Sequence, residues 1–389
     1  MHQQGFPSHR VAIVGAYESE RRKAPGVHPY AIQAEAVLGA LRDAGLALSD
    51  VDGFCTTATF GQEAGWQMSV AEVAEYIGIR PRWFDSTDIG GAASISQAGH
   101  AALAIEAGLA DVVVVSYGSS GRSSPLPAPD FNTNASGPGQ WEVPYGPTTV
   151  ASYALAATRH MHEYGTTPEQ LAAVAVQLRE NAARNPHAMY REPITVDDVL
   201  SSPMISDPLH RLDCCVVSDS GGAFVMVSAE RARDLRTRPV FLDGWGEAIG
   251  QVQMNQMPDF TVTSARESGR RALASAGLST TDIDCAQIYD SFTITVLLTL
   301  ESLGFCGPGE GGGFIESGAI GPGGSLPINT DGGGLSSNHP GRRGTLAVIE
   351  AVRQLRGESP GVTIPGARSC LVNGTGGTLS ATATLVLTN

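Results

Sequence analysis

Lysine is almost absent from this chain of 389 residues: Lys23, in the polar run Arg21-Arg22-Lys23, is the only one. A Schiff-base lysine needs an apolar pocket to lower its pKa, so that chemistry has almost no candidate here. Positive charge is scarce altogether, with 25 Lys and Arg against 39 Asp and Glu and a formal net charge of -14. Nucleic-acid backbones reward clustered Lys and Arg, which sets that function class aside and leaves a small substrate or a basic partner. No stretch reaches the roughly 18 apolar residues of a membrane span. Met1 to Arg10 carries no apolar signal core, and Val11 to Ala16 is too short to be one. A soluble cytoplasmic protein with no membrane attachment is expected. The six cysteines, Cys55, Cys214, Cys215, Cys285, Cys306 and Cys370, lack CxxC spacing. Neither a zinc ribbon in this chain nor a disulfide framework is supported, and most of them read as small core residues. No His/Asp/Glu cluster has metal-site spacing, so no metal is expected.

Apolar residues make up 42% and charged ones 16%, a composition with enough apolar surface for a well-buried globular fold. The length favours two closely packed halves. Val11 to Gly15 reads as a buried strand, followed by a helix from Tyr30 to Ala44 and the connection Gly45 to Gly53 into the next strand. The order returns with Val240 to Leu242, Val262 to Ala276, and Gly277 to Cys285 leading into Ala286 to Ile288. Matching AGLxxxD[VI]D turns at matching offsets imply an internal duplication. Each half then alternates helix and strand: Ala92 to Ala107 before Asp111 to Val115, and Gly344 to Leu355 before Ser369 to Val372. Such alternation favours mixed, mostly parallel sheets covered by helices. Gly118 to Thr149, rich in Pro, Gly, Ser and Asn, reads as a long surface loop. It precedes a helical excursion from Ala151 to Asn185, and the first half closes at Ala223 to Val227. The glycine-rich stretch Gly307 to Gly324 reads as a second loop. The first half is expected over residues 1–236, with the loop and helical insertion at about 118–205, and the second over 237–389.

Three constellations follow one another near the C-terminal end: Tyr289-Asp290-Ser291-Phe292, Ser337-Asn338-His339-Pro340-Gly341, and the glycine turn Asn373-Gly374-Thr375-Gly376-Gly377. Tyr289 lies where a buried strand gives way to a helix, a favoured place for active groups in α/β folds. It is read either as a proton donor or acceptor, or as a buried tyrosine whose hydroxyl caps a backbone group. Phe292 reads as packing. His339, after the glycine-rich approach Asp331 to Gly334, has the one side chain whose unperturbed pKa, about 6.5, suits proton exchange near neutrality. Asn338 is placed to orient it or to donate a hydrogen bond.

These motifs, with Asp213-Cys214-Cys215 and Ser218-Asp219-Ser220-Gly221-Gly222 before them, resemble the thiolase superfamily in its lipid-transfer and sterol-carrier branch, over nearly the whole chain. The resemblance implies an α/β thiolase fold, two duplicated βαβαβ halves in a layered αβαβα arrangement. It also implies departures. Ala104 to Asp111 resembles the end of the family's nucleophile helix, and counting back puts the cysteine position at about Gly91 or Ala92, yet no cysteine stands between Cys55 and Cys214. Gly91 is expected to leave space beside the substrate; Ser94, the nearest hydroxyl, reads as a capping or core residue. The family's second cysteine aligns with Asn373, so that thiol is lost as well, while the backbone N–H groups of Gly376 and Gly377 remain available as an oxyanion hole.

Members lacking both cysteines include the retro-aldolases of steroid side-chain degradation. The resemblance therefore implies cleavage of a β-hydroxyacyl-CoA into a ketone or aldehyde and a shorter acyl-CoA. Tyr289 would act on the hydroxyl, His339 on the enolate oxygen or its protonation, and Gly91, Asn338, Asn373, Gly376 and Gly377 would line the oxyanion and substrate site. No cofactor bound by the chain is implied, coenzyme A entering as part of the substrate. The implied partners are a second copy in a homodimer and a small protein bearing a zinc ribbon and an OB-fold. The steroid aldolases carry a tyrosine at the position of His339, so this chain has a different substrate or divides the roles differently. An acyl-CoA acyltransferase, a noncatalytic lipid- or acyl-CoA-binding subunit, and a condensing enzyme running the aldol direction stay open.

Overall fold

The computed structural model describes residues 6–59, 68–124 and 136–389. The elements of the first half are β1 (Val11–Glu18), α1 (Pro29–Ala44), β2 (Gly53–Cys55), α2 (Ser69–Ile77), β3 (Trp83–Asp85), α3 (Ala93–Glu106) and β4 (Val112–Ser119). An excursion follows through α4 (Thr149–Tyr164), α5 (Pro168–Arg184), α6 (Val196–Ser201) and the small hairpin β5 (Met204–Ser206) and β6 (Leu209–His210), before β7 (Ser220–Ser228) and the short α7 (Ala229–Ala232). The rest comprises β8 (Val240–Ile249), α8 (Ala265–Ala276), β9 (Cys285–Ile288), α9 (Thr293–Leu303), α10 (Gly311–Glu316), α11 (Gly344–Arg356), β10 (Ser369–Gly376) and β11 (Ala381–Thr388).

The strands form a nine-stranded sheet in the order β3-β2-β4-β7-β1-β8-β11-β10-β9. β1 and β8 meet only through Ala12–Phe241 and Ile13–Val240, so the sheet is two sub-sheets joined at a narrow seam. On either side of the seam the order and direction repeat: β1, β7, β4, β2 correspond to β8, β11, β10, β9. The sheet is mixed, but the expected parallel majority is corrected. Between the strands of the described residues, parallel pairing is confined to β2–β3, β2–β4 and β9–β10, while β1–β7, β4–β7, β10–β11, β8–β11 and β1–β8 run antiparallel. The cause is that β11 returns beside β10 by a tight hairpin, and β7 comes back from the excursion against β4 and β1.

The duplicated turns have a physical reason. Gly45 and Gly277 end their helices at φ 74° and 68°. Asp50 and Asp282 then accept the backbone N–H of Ala47 and Ser279, each at 2.8 Å. The second aspartate of each motif anchors the start of a later strand, β4 or β10: Asp52 takes the N–H groups of Asp111 and Val112, and Asp284 those of Arg368 and Ser369. One pair of carboxylates thus starts a strand in each half.

Layering follows from burial. α3 and α11 lie between the two sub-sheets, where Ile95, Ala98, Ala102, Val348 and Val352 pack on Ile13, Val113, Phe224, Val372 and Leu385. α1 and α2 cover the outer face of the first sub-sheet. α8 and α9, with α4 and α5 beyond them, cover that of the second. The result is the αβαβα sandwich.

Other expectations shift in detail. The excursion is two helices broken at Gly165, φ 73°. Gly118 belongs to β4, part of the predicted loop lies outside the described residues, and the stretch from Gly307 carries α10. The predicted turn Asn373 to Gly377 is the end of strand β10, and the chain reverses only at residues 377–380. Glycine is needed there for contact: a Cβ on Gly376 would fall 1.6 Å from the carbonyl oxygen of Ile89, and one on Gly374 2.9 Å from Cα of Ala92. These glycines let the first turn of α3 lie directly on β10.

Candidate active site

Tyr289 is the first residue beyond β9, its N–H continuing the parallel ladder onto Asn373 O at 2.9 Å. Its ring turns inward against the start of α3. The hydroxyl lies 2.9 Å from Nε2 of His339, 3.5 Å from the carbonyl of Gly341 and 3.4 Å from the N–H of Arg343. The Tyr289 and His339 rings stand edge to face at 85°. Residues placed 50 apart are therefore one unit, joined by a hydrogen bond.

The glycine run before His339 has a purpose of its own. Gly332 and Gly333, at φ 102° and 67°, wrap the chain around the fully buried carboxylate of Asp290, which accepts the N–H groups of Gly334 at 2.7 Å and Leu335 at 3.0 Å. A Cβ on Gly333 would meet that carboxylate at 2.1 Å. Beside it, the guanidinium of Arg343 is completely buried. It pairs with Asp331 at 2.6 Å and 2.8 Å, donates to the carbonyl of Asn338 at 2.9 Å and stands 3.6 Å from Asp290. Sequence reasoning missed both Asp290 and Arg343. Their signal was the charge of Arg342-Arg343 in a stretch otherwise rich in glycine and small polar residues.

Electrostatics set the protonation states. Burial, with the Arg343 cation close by, pushes the His339 imidazole down to about 4. Burial first, then the neighbouring Cys215, pushes the Tyr289 phenol well up. Both are therefore neutral near pH 7, a hydroxyl beside an imidazole whose lone pair can take its proton. Asp290 is pushed up to about 6 by burial, against the pull of Arg343 and the two N–H groups.

The other sequence-predicted residues divide. Gly91 does stand at the site, but the expected open space does not exist. A Cβ there would lie 2.4 Å from Cε2 and 2.5 Å from Cζ of Tyr289, and 2.5 Å from the carbonyl of Thr375. The tyrosine ring occupies the place of a residue-91 side chain. Asn338 does not reach toward the hydroxyl: its amide is used by Glu18 at 2.9 Å and Ser218 at 2.6 Å. Asn373 points away, on the face of β10 that carries α8. Its Nδ2 donates to Thr384, whose hydroxyl contacts Ser268 of that helix. Gly376 and Gly377 adjoin the start of α3, the N of Gly377 being 2.8 Å from a Cβ built on Gly90. Ser94 is bonded to Thr345 at 2.6 Å within the core. Tyr153 of α4, unremarked in the sequence, packs its ring on Phe292 at a 35° tilt and donates to the carbonyl of Gly377 at 3.2 Å. The half-buried Cys214 thiol is pushed up to about 12 by burial, so it is no ready thiolate. Among the described residues no group of three or more His, Cys, Asp and Glu could hold a metal ion, and no helix is long and apolar enough to cross a membrane.

The family described as Thiolase C-terminal domain-like matches residues 246–389. The chain is 38% identical to the 17-hydroxy-3-oxo-4-pregnene-20-carboxyl-CoA lyase of Mycobacterium tuberculosis, over 98% of this chain and 99% of that one. It is 40% identical to the steroid side-chain-cleaving aldolase of Thermomonospora curvata, over 92% of each. The acetyl-CoA acetyltransferase of Methanothermobacter thermautotrophicus is 32% identical over 95% of this chain and 96% of its own. Among solved structures, the "Ltp2-ChsH2(DUF35) aldolase" superposes with a TM-score of 0.88 at 37% identity, covering 98% of both chains. Human mitochondrial 3-ketoacyl-CoA thiolase, at 16% identity, 98% and 99% coverage and a TM-score of 0.72, shares the fold. The chain belongs to the thiolase superfamily, in the branch of sterol carrier protein 2-type thiolases and steroid side-chain-cleaving aldolases.

Proposed function

We propose that this chain is a retro-aldolase, a carbon–carbon lyase that cleaves a β-hydroxyacyl-CoA into a ketone or aldehyde and a shorter acyl-CoA without forming a covalent acyl-enzyme. The observation that carries the reading is the ring of Tyr289 standing where a nucleophilic side chain at position 91 would be, with its hydroxyl 2.9 Å from His339 Nε2. A thiolase nucleophile and this tyrosine exclude one another, whereas a hydroxyl–imidazole pair suits proton removal from an alcohol.

In the proposed step Tyr289 oxygen takes the proton of the substrate β-hydroxyl while its own proton passes to Nε2 of His339, so no buried tyrosinate accumulates. The alkoxide electrons form the new carbonyl, the Cα–Cβ bond breaks, and its electron pair passes to the thioester as an enolate. Backbone N–H groups of Gly376 and Gly377, beside Gly90 and Gly91, receive that oxyanion. The proton on His339 then returns to Cα, closing the balance. Coenzyme A enters as part of the substrate and the scheme uses no cofactor held by this chain. The relatives' names point to a steroid side-chain thioester. The homologous aldolase of known structure, whose name joins it to a DUF35 protein, supports a small zinc-ribbon and OB-fold partner here; homodimerisation is inferred from the family alone.

The test is a panel of β-hydroxyacyl-CoA thioesters assayed with any co-purified partner, comparing wild type with Tyr289→Phe and His339→Ala. Loss of an acid–base group removes about 100-fold or more of the rate. Cleavage unchanged in both variants would overturn the assignment. The 32% identity to acetyl-CoA acetyltransferase favours acyl transfer as a second reading; an acyl adduct on the protein would support it.

A further inference from the structure

A line of hydrogen bonds runs from the first strand to His339. Glu18, at the end of β1, accepts Nδ2 of Asn338 at 2.9 Å, and Arg22 and Arg353 each pair with it at 2.9 Å. Burial alone would raise this carboxyl, but the two arginines and the amide hold it at about 2. An ionised carboxylate only accepts. The amide nitrogen of Asn338 must therefore face Glu18, which turns Oδ1 toward Ser218. Ser218 Oγ lies 2.6 Å from that oxygen and commits its proton there. The lone pair left on Oγ takes the backbone N–H of His339 at 2.9 Å, and the N–H of Ser218 returns to the carbonyl of His339 at 3.3 Å. One serine thus grips the histidine main chain on both sides, and the charge at the far end fixes the direction of every bond in the line.

The grip is built into rigid surroundings. Ser218 and Asn338 are buried to within 1% and 0% exposure. The next residue, Asp219, accepts N–H groups from Ala24 at 2.7 Å and from Arg122 at 2.8 Å and Ser123 at 3.1 Å, tying two further loops to the same point. The Ser218-Asp219-Ser220 motif, which carries part of the family resemblance, is the junction of the loops around the candidate site.

We propose that Ser218, oriented by Glu18 through Asn338, is the positioning residue that holds the His339 imidazole at the Tyr289 hydroxyl; this rests on the reading of His339 as a proton-transfer group. Misplacing a reacting group by 1 Å costs about 100-fold in rate, so losing the grip is expected to show in turnover more than in binding.

The test compares Ser218→Ala with Ser218→Thr, which keeps a hydroxyl. Turnover of β-hydroxyacyl-CoA is measured together with the ¹⁵N NMR signals of the imidazoles, His339 being assigned among the nine histidines by its absence in His339→Ala. Ser218→Ala is expected to lower kcat about 10- to 100-fold, with KM changed by less than about threefold, and to displace the His339 ring signals. Ser218→Thr is expected to recover most of both. If Ser218→Ala does not fold, Asn338→Leu, close in size but without the Oδ1 that takes the Ser218 proton, carries the same expectations. An unchanged kcat, or a lowered kcat with His339 signals at their wild-type positions, overturns the proposal. Should the wild type cleave no β-hydroxyacyl-CoA, the ring signals alone decide: displaced signals uphold the grip while the lyase reading falls, and undisplaced signals overturn the grip.

Discussion

Adding a single methyl group at Gly91 is a severe test of how this site is built. In Gly91→Ala the new carbon would sit 2.4 Å from Cε2 of Tyr289 and 2.5 Å from the carbonyl oxygen of Thr375. The tyrosine ring could swing aside, but the carbonyl belongs to β10, which pairs with β11 along its whole length and cannot. Overpacking of this kind costs about 1–3 kcal/mol. For a chain of this length that moves Tm by only about 1 °C per kcal/mol, so thermal melting is a weak assay and turnover a strong one. Displacing the Tyr289 hydroxyl from His339 by about 1 Å predicts a loss near 100-fold in kcat. Chemical denaturation supplies the control: in Gly91→Ala/Tyr289→Ala the clash with the ring is gone, and the double variant should be more stable than the summed single effects by about 1–3 kcal/mol. A Gly91→Ala protein with wild-type kcat and additive stability would refute the claim that the ring fills this space.

Four further outcomes follow from the same geometry. With His339 held at about 4, the free-enzyme profile of kcat/KM should show no titration near 6.5 and an acid limb only toward pH 4. The same depression favours the fold above pH 6.5 by about 3 kcal/mol relative to pH below 4, an advantage lost as pH falls from 6.5 to 4 because the unfolded chain takes up the proton first. Asp290, raised to about 6, works oppositely, its contribution fading as pH rises from 4 to 6; His339→Gln should therefore unmask a stability that falls with pH across that window in denaturant titrations. Arg343→Met leaves Asp331 and Asp290 buried without their cation and should cost about 3–5 kcal/mol, read as a lowered denaturation midpoint. Gly376→Ala, whose Cβ would fall 1.6 Å from Ile89 O, should fail to give folded protein, measured as loss of soluble expression.

Much of the architecture was legible because periodicity and punctuation agree in this chain. The helix expected after Tyr289 is α9, and the paired AGLxxxD turns are duplicated down to the bonds of their aspartates. The errors have physical causes. A glycine-rich run such as Asn373 to Gly377 reads as a turn, yet here glycine serves close packing within a strand, which local sequence does not distinguish. Strand direction in β7 and β11 depends on how the chain returns, not on composition. At the site, Tyr289 and His339 could be picked out by residue type and setting. Their mutual contact, the filling of the Gly91 space, and the outward turn of Asn373 depend on side-chain direction across three elements. A buried arginine such as Arg343 leaves no periodic signal, because its partners Asp290 and Asp331 come from other loops.

The central claim is that carbon–carbon cleavage proceeds here without a bond between acyl group and protein. It is tested most directly by quenching the enzyme during turnover of a β-hydroxyacyl-CoA and recording intact protein mass and shorter acyl-CoA in the same sample. The expected result is accumulating product with a protein mass that never departs from the unmodified value. An acyl adduct that forms and decays at the rate of product appearance would contradict the account.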